Sequence, residues 1–102
     1  MPVLEEKRGA LAAVCRRYDV VRLEVFGSAS SGDFEPGRSD IDLLVEFRLD
    51  ADLGPWLALY FDLKRDLEEL LACKVDLVMR RALENPYFAR EVDRTRRLLY
   101  AA

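Results

Sequence analysis

Alternation of apolar and polar positions predicts three strands in this chain. In the segment VVRLEVF, Val20–Phe26, apolar residues alternate with charged ones at the two-residue period of a strand. Two later segments, SDIDLLVEF over residues 39–47 and KVDLVM over residues 74–79, also carry apolar residues at every second position. Because residues i and i+2 of a strand share a face, each segment would present one apolar face to a core.

Apolar residues spaced three and four apart predict helices between and around these strands. Residues 3–18 place apolar side chains opposite a charged face, as in an amphipathic helix. A short helical turn at Ser28 should lead into an exposed loop that ends at Ser39, because this stretch is small and polar, with two glycines and a proline. The longest predicted helix covers residues 56–72, and the last one covers residues 85–100.

Two of these helices have recognisable start signals. Gly54 and Pro55 precede the longest helix, and Asn85 followed by Pro86 fits a cap and a first helical residue. The longest helix carries an apolar stripe of Trp56, Tyr60, Leu63, Leu67 and Leu70, widened by Leu57, Phe61 and Leu71. Such a wide stripe either belongs wholly to the core or forms in part a partner or dimer face. The same two alternatives hold for the apolar residues of the last helix, Tyr87, Phe88, Leu98, Leu99 and Tyr100.

The order of the segments predicts a single domain over residues 1–102 in the α/β (α+β) class. Helix, strand, turn, strand, helix, strand and helix follow one another, which is typical of a small sheet covered by helices. A chain of 102 residues is long enough to bury a core without metal or disulfide support. The order of the strands within the sheet stays open at this point.

Composition excludes several functional classes. The chain has no histidine and two cysteines without a CxxC spacing, which excludes zinc fingers and histidine-dependent triads. A net charge of -3 argues against a direct nucleic-acid binder, and acids offset the arginines near the C-terminus, as on a solvated face. No apolar run approaches the roughly 20 residues of a membrane span, and the N-terminus is too charged for a signal peptide. We therefore expect a cytoplasmic protein.

Two aspartates interrupt the second predicted strand. Asp40 and Asp42 are two residues apart, so they project from one face while apolar residues line the other. The two charges would repel unless a cation lay between them, and Mg²⁺ prefers such oxygen ligands. Asp76 interrupts the third predicted strand and would complete a three-carboxylate site if the two strands were neighbours. Alternatively, Asp40 is a strand-start residue and Asp42 belongs to a solvated sheet face.

A glycine and a serine follow the first predicted strand. Gly27-Ser28 opens a short helical turn, and backbone N–H groups at a helix N-terminus can hold phosphate oxygens. Glycine would allow a phosphate to approach closely. The hydroxyl of Ser28 either contacts a phosphate or caps the helical turn.

Taken together, the motifs FGS, SDIDLLVEF and KVDLV resemble those of the nucleotidyltransferase superfamily with a polymerase-beta-like fold. The chain is similar over nearly its whole length to the minimal nucleotidyltransferases that are partners of HEPN toxins. The resemblance implies a small mixed sheet covered by helices. It implies that Gly27 and Ser28 position a nucleoside triphosphate, and that Asp40, Asp42 and Asp76 are catalytic metal ligands.

The chemistry implied by the resemblance is transfer of AMP from ATP to an acceptor hydroxyl, with two Mg²⁺ ions and pyrophosphate as the leaving group. Asp76 would accept the proton of the acceptor. Relatives that modify small molecules carry an added domain for the acceptor, for which 102 residues leave no room. The resemblance therefore implies that the acceptor is a partner HEPN toxin, modified on a tyrosine, and that the chain acts as its antitoxin.

Two other functions stay open at the level of the sequence. Many family members read GSxARG, whereas this chain has Ser31 at the arginine position. Loss of that cation suggests a catalytically weak antitoxin that acts by binding alone. A nucleotidyltransferase with a small-molecule acceptor is the second alternative, and a homo-oligomer is compatible with the apolar stripes.

Overall fold

In the part of the chain that the structure describes, the protein is built on one mixed four-stranded sheet. The computed structural model describes residues 2–31 and 40–102. The strands are β1 (Val20–Phe26), β2 (Ile41–Phe47), β3 (Val75–Met79) and β4 (Arg97–Ala101). Their order is β3-β2-β1-β4, with β1 antiparallel to both β2 and β4, and β2 parallel to β3. The predicted small mixed sheet is confirmed.

Helices flank this sheet. They are α1 (Pro2–Glu6), α2 (Arg8–Arg17), α3 (Ser28–Ser31), α4 (Ala58–Leu71) and α5 (Pro86–Thr95), with 3₁₀ turns at Pro55–Leu57 and Arg80–Glu84. The short helical turn predicted at Ser28 is thus α3, whereas the loop expected to end at Ser39 lies outside the described residues. Among the described helices, none has the length and apolar character that crossing a membrane requires.

The main hydrophobic core lies between one face of the sheet and helices α2 and α4. Alternate residues of β1, β2 and β3 point toward it, as the two-residue period predicts. Its fully or almost fully buried members include Leu11, Leu23, Val25, Ile41, Leu43, Val45, Leu63, Leu67 and Leu77. Burial of each such side chain contributes about 2 kcal/mol, so this layer provides most of the free energy that holds the helices on the sheet.

The last predicted helix is wrong beyond Thr95. The Asn85 cap is as expected, since its side chain accepts hydrogen bonds from the backbone N–H groups of Tyr87 and Phe88. The helix then ends, and residues 97–101 form β4 along the open edge of β1. The sheet determines this outcome, because the backbone groups of β1 on that side would otherwise lack partners. Leu99 consequently belongs to the core as a strand residue.

Two other helix boundaries differ from the prediction. The first helix is divided at Lys7, which separates α1 from α2. The longest helix begins at Ala58, because Trp56 and Leu57 both have φ of 56° in the left-handed region and cannot continue an α-helix. Trp56 is 94% exposed, and Phe61 is also exposed, so these residues of the apolar stripe do not belong to the core.

The second face of the sheet carries fewer buried apolar residues than the first, together with a buried ion-pair network. Phe26 on β1, Leu44 on β2 and Val92 on α5 form a separate small hydrophobic cluster between the sheet and α5. Beyond it, Glu24 is 2% exposed and accepts hydrogen bonds from Arg96 at 2.6 and 2.9 Å. Arg22 donates to the same carboxylate at 2.6 Å. The network joins β1 to the segment between α5 and β4, where the sequence predicted continuous helix.

Core packing can be tested on α4 with one substitution at a buried position and one at an exposed position of the same helix. Leu67→Ala removes a fully buried side chain and should lower the free energy of unfolding by about 2–5 kcal/mol. Phe61→Ala, at a side chain that is 55% exposed, should cost less than about 1 kcal/mol. Urea denaturation followed by circular dichroism measures both, and equal losses would contradict the described orientation of α4.

The Glu24 network should make stability depend on pH in acid. The hydrogen bond from Arg96, assisted by Arg22 and opposed by burial, lowers the pKa of Glu24 from 4.5 to about 2. A lowered folded-state pKa stabilises the protein above pH 4.5, by about 3 kcal/mol, and this contribution is lost as the pH falls toward 2. The difference in unfolding free energy between the wild type and Glu24→Gln should therefore shrink between pH 5 and pH 2.5. A difference independent of pH would contradict this assignment.

Candidate active site

Strand register places two of the predicted acids side by side. Asp42 on β2 is the direct partner of Asp76 on β3 in the parallel pair, and of Phe26 on β1 in the antiparallel pair. Paired residues of neighbouring strands project from the same face of the sheet. The sequence left open whether the strands that carry Asp42 and Asp76 are neighbours. Because β2 and β3 are neighbours, the two acids share the face of the sheet opposite the main core.

Asp40 lies one residue before β2 and is exposed. Its position agrees with the alternative in which Asp40 is a strand-start residue, yet the charge of Asp40 still acts on Asp42. Burial of the half-buried Asp42 side chain, followed by the charges of Asp76 and then Asp40, raises the pKa of Asp42 above its ordinary value. The three acids therefore form one region of negative potential.

This acidic region fits a divalent cation in its donor chemistry. Carboxylate oxygens are the ligands that Mg²⁺ prefers, and a cation would offset the burial and the repulsion that together raise the pKa of Asp42. Within residues 2–31 and 40–102, no three Asp, Glu or Cys side chains form a ready-made metal site. The acids thus supply the donors and the potential without a preassembled ligand shell.

Gly27 lies directly against Asp42. It has φ of +70° in the left-handed region, and a Cβ atom added to it would lie 2.4 Å from Oδ2 of Asp42. Both facts favour glycine, since other residues rarely adopt this φ and any side chain would displace the carboxylate. Ser28 then begins α3, and the N–H of Ser30 donates to the carbonyl of Gly27 at 3.1 Å. The predicted phosphate-binding pair is therefore adjacent to the acids.

One further residue at this site had no signal in the sequence. The N–H of Gly27 donates to Oγ1 of Thr95 at 2.8 Å, across 68 positions of the chain. Thr95 reaches the site through tertiary packing, so motif spacing could not have identified it. On the α4 side of the sheet, Tyr60 donates through its hydroxyl to the carbonyl of Leu77 on β3, and burial and the charge of Asp76 raise the pKa of Tyr60.

A cavity of about 340 Å³ continues along the same face of the sheet. Its lining includes Arg22, Glu24, Leu44, Glu46, Arg80, Leu83 and Arg96. The guanidinium of Arg80 donates to Glu46 at 2.7 Å, and Arg96 is held by Glu24. The charged groups that line the cavity therefore stabilise one another. Along this face of β2, Leu44 lies between Asp42 of the acidic region and Glu46 of the cavity.

Comparison with known proteins shows which family this chain resembles. Residues 7–99 match the family described as nucleotidyltransferase domain. A Thermococcus cleftensis protein named protein adenylyltransferase MntA is 36% identical over 89 aligned residues, covering 83% of this chain and 85% of that protein. A Methanocaldococcus jannaschii protein provisionally named protein adenylyltransferase is 35% identical over 77 residues, covering 76% of this chain and 74% of that protein.

Solved structures show the same fold. A protein provisionally described as a minimal nucleotidyltransferase is 36% identical and superposes with a TM-score of 0.73, over 92% of this chain and 90% of that chain. A chain from the complex of the tri-AMPylated Shewanella oneidensis HEPN toxin with its MNT antitoxin superposes with a TM-score of 0.65 at 20% identity. That match covers 97% of this chain and 73% of the other, and at this identity it shows the fold alone.

The contact between Gly27 and Asp42 predicts the outcome of a paired glycine experiment. Gly27→Ala should lower the free energy of unfolding by about 1–2 kcal/mol, because the left-handed φ is strained for alanine and the new methyl group displaces the Asp42 carboxylate. Gly9→Ala is the matched control. Gly9 lies inside α2, and nothing lies within 4 Å of its added Cβ, so alanine should stabilise the helix by about 0.5–1 kcal/mol. Thermal or urea unfolding measures the stability of both variants. A Gly27→Ala variant more stable than the wild type would contradict the left-handed conformation of Gly27.

Proposed function

The chain belongs to the nucleotidyltransferase domain family, and from that premise we propose that it is an antitoxin that transfers AMP from ATP to a hydroxyl of a HEPN toxin. Members of this family are nucleotidyltransferases that use a nucleoside triphosphate and a divalent metal. The observation that carries the proposal is the in-register pairing of Asp42 with Asp76 beside the Gly27 turn. The adenylyltransferase names of the relatives support AMP as the transferred group.

In the proposed reaction, Gly27 and Ser28 hold the triphosphate of ATP against the acidic face of the sheet. Asp40, Asp42 and Asp76 would hold two Mg²⁺ ions, which when bound would supply positive charge to the phosphates and to the departing pyrophosphate. The oxygen of the acceptor hydroxyl forms a bond to the α-phosphorus of ATP. The bond from that phosphorus to the β-phosphate bridging oxygen breaks, and pyrophosphate leaves.

The exposures of the acids suit a division of roles between them. Asp42 is half-buried against Gly27, which suits an acid that holds a cation at a fixed position. Asp76 is exposed, so a hydroxyl carried by another protein can reach it. We assign to Asp76 the acceptance of the hydroxyl proton as the new phosphorus–oxygen bond forms. A tyrosine of the toxin is the acceptor in this proposal.

A HEPN toxin as the partner is supported by two kinds of observation. Solved structures of this fold include an MNT antitoxin in complex with a HEPN toxin and a toxin–antitoxin structure with AMP-PNP. In addition, Trp56 and Phe61 leave apolar surface uncovered at the start of α4, as the partner-face alternative requires. Ser31, in place of the family's usual arginine, favours the second candidate function, an antitoxin that acts by binding alone.

A transfer assay separates the two candidate functions. The chain is incubated with Mg²⁺, ATP labelled on the α-phosphate and the HEPN protein encoded beside it. Asp42→Asn and Asp76→Asn should each reduce labelling of the toxin by at least about 100-fold, because each removes a ligand of the proposed metal site. Asp42→Asn should not destabilise the fold, since the substitution removes a charge that burial and two neighbouring acids disfavour.

Asp50→Asn is the matched control for this assay. Asp50 is exposed and paired with Arg48 at 3.0 Å, so the substitution should leave labelling unchanged. Full labelling by Asp42→Asn would overturn the site assignment. A stable complex with the toxin that carries no label, in the wild type as well as in the variants, would establish the binding-only antitoxin instead.

A further inference from the structure

Thr95 makes two hydrogen bonds to the turn that opens the candidate nucleotide site. Its Oγ1 accepts the N–H of Gly27 at 2.8 Å, and its carbonyl accepts the hydroxyl of Ser30. The two bonds hold both ends of the Gly27–Ser30 turn against a single residue. Thr95 is the last residue of α5, so a distant part of the chain determines where this turn lies.

The position of Thr95 is itself fixed by its neighbours in the chain. Arg96 donates from its side chain to buried Glu24 at 2.6 and 2.9 Å, and from its backbone N–H to the carbonyl of Val92 at 2.9 Å. Val92, one turn earlier in α5, is fully buried. The end of α5 is therefore held by the packing of Val92 on one side of Thr95 and by the Arg96–Glu24 ion pair on the other, which fixes the backbone from which the Thr95 side chain projects.

The orientation of the Gly27 peptide matters because of what lies beside it. The Cα of Gly27 packs so closely on Asp42 that an added methyl group would lie 2.4 Å from its carboxylate oxygen. A small rotation of the turn would change this contact and the direction of the N–H groups that follow. The half-buried Gly27 N–H also needs an acceptor, and the Thr95 hydroxyl supplies it.

We propose that Thr95 is a positioning residue that holds the Gly27–Ser30 turn in the orientation that binds the triphosphate. This inference rests on the proposed nucleotidyltransferase function for the ligand, although the structural coupling is independent of it. Thr95 touches neither the acids nor the substrate in this scheme. Its effect is exerted through Gly27 and Ser30, and it should change nucleotide binding more than the rate of the chemical step.

Two substitutions at one position test the proposal. Thr95→Val keeps the shape of the side chain and removes the acceptor oxygen, whereas Thr95→Ser keeps the oxygen. In the labelling assay with the toxin, Thr95→Val should raise KM for ATP by roughly tenfold with kcat changed less than about threefold, which is the loss of one hydrogen bond to the turn. Thr95→Ser should restore KM to within about twofold of the wild type.

Asn85→Ala controls for a general weakening of α5. It removes the N-cap at the other end of the same helix, so it lowers stability without touching the turn. Its KM for ATP should equal that of the wild type. A KM shift in Asn85→Ala as large as that in Thr95→Val, or a Thr95→Ser variant as impaired as Thr95→Val, would overturn the positioning role.

A measurement without any substrate separates this proposal from the function on which it rests. Amide hydrogen exchange of Gly27, followed by nuclear magnetic resonance in the absence of ATP, should be roughly tenfold faster in Thr95→Val and unchanged in Thr95→Ser and Asn85→Ala. If the wild type transfers no AMP but Gly27 exchange responds in this way, the coupling stands and the proposed enzymatic function fails. Unchanged Gly27 exchange in Thr95→Val would overturn the coupling itself.

Discussion

The parallel pairing of β2 with β3 is the constraint on which the candidate site depends. In that register Asp42 and Asp76 are direct partners, and each is followed by apolar residues that point into the main core. A shift by one residue would bring Asp42 into the core and turn Leu43 outward, because the side chains of a strand alternate. Core burial and the juxtaposition of the two acids are therefore determined by the same register.

The cost of this arrangement is electrostatic and local. Burial and two neighbouring negative charges raise the pKa of Asp42, so the fold holds a carboxylate where its charged form is disfavoured. An electrostatic penalty of this kind is common at sites that bind cations, because the positive charge of a bound ion stabilises carboxylates that would otherwise repel one another. The contact with Gly27 shows that the nearby backbone is shaped around the same carboxylate.

Further along the same face, a second buried acid is stabilised by cationic side chains of the protein itself. Glu24 is more deeply buried than Asp42, yet its pKa is lowered to about 2 because Arg96 and Arg22 donate to it directly. The two acids thus differ in what accompanies them. Glu24 has its cations within the protein and ties β1 to the α5–β4 junction. Asp42 is accompanied by like charges, which is the environment of a functional carboxylate rather than a structural one.

Local patterns were sufficient for much of the fold and for the composition of the candidate site. The predicted strand at Val20–Phe26 has the observed bounds, and the predicted second and third strands begin only one or two residues early. The Asn85 cap was recognisable because a cap acts on its own helix. The motifs also brought Gly27 and the three aspartates into one hypothesis, and the register of the strands places two of those aspartates, Asp42 and Asp76, side by side.

By itself, then, the sequence determined the class of the fold, the identity of its acids and the family that they resemble. Tertiary structure alone decided that residues 97–101 are a strand, that Trp56 and Phe61 are exposed, and that Thr95 holds the Gly27 turn. The physical reason is the range of the forces concerned. Periodicity and capping act over a few residues, whereas an open strand edge or an unmet N–H finds its partner wherever the folded chain supplies one.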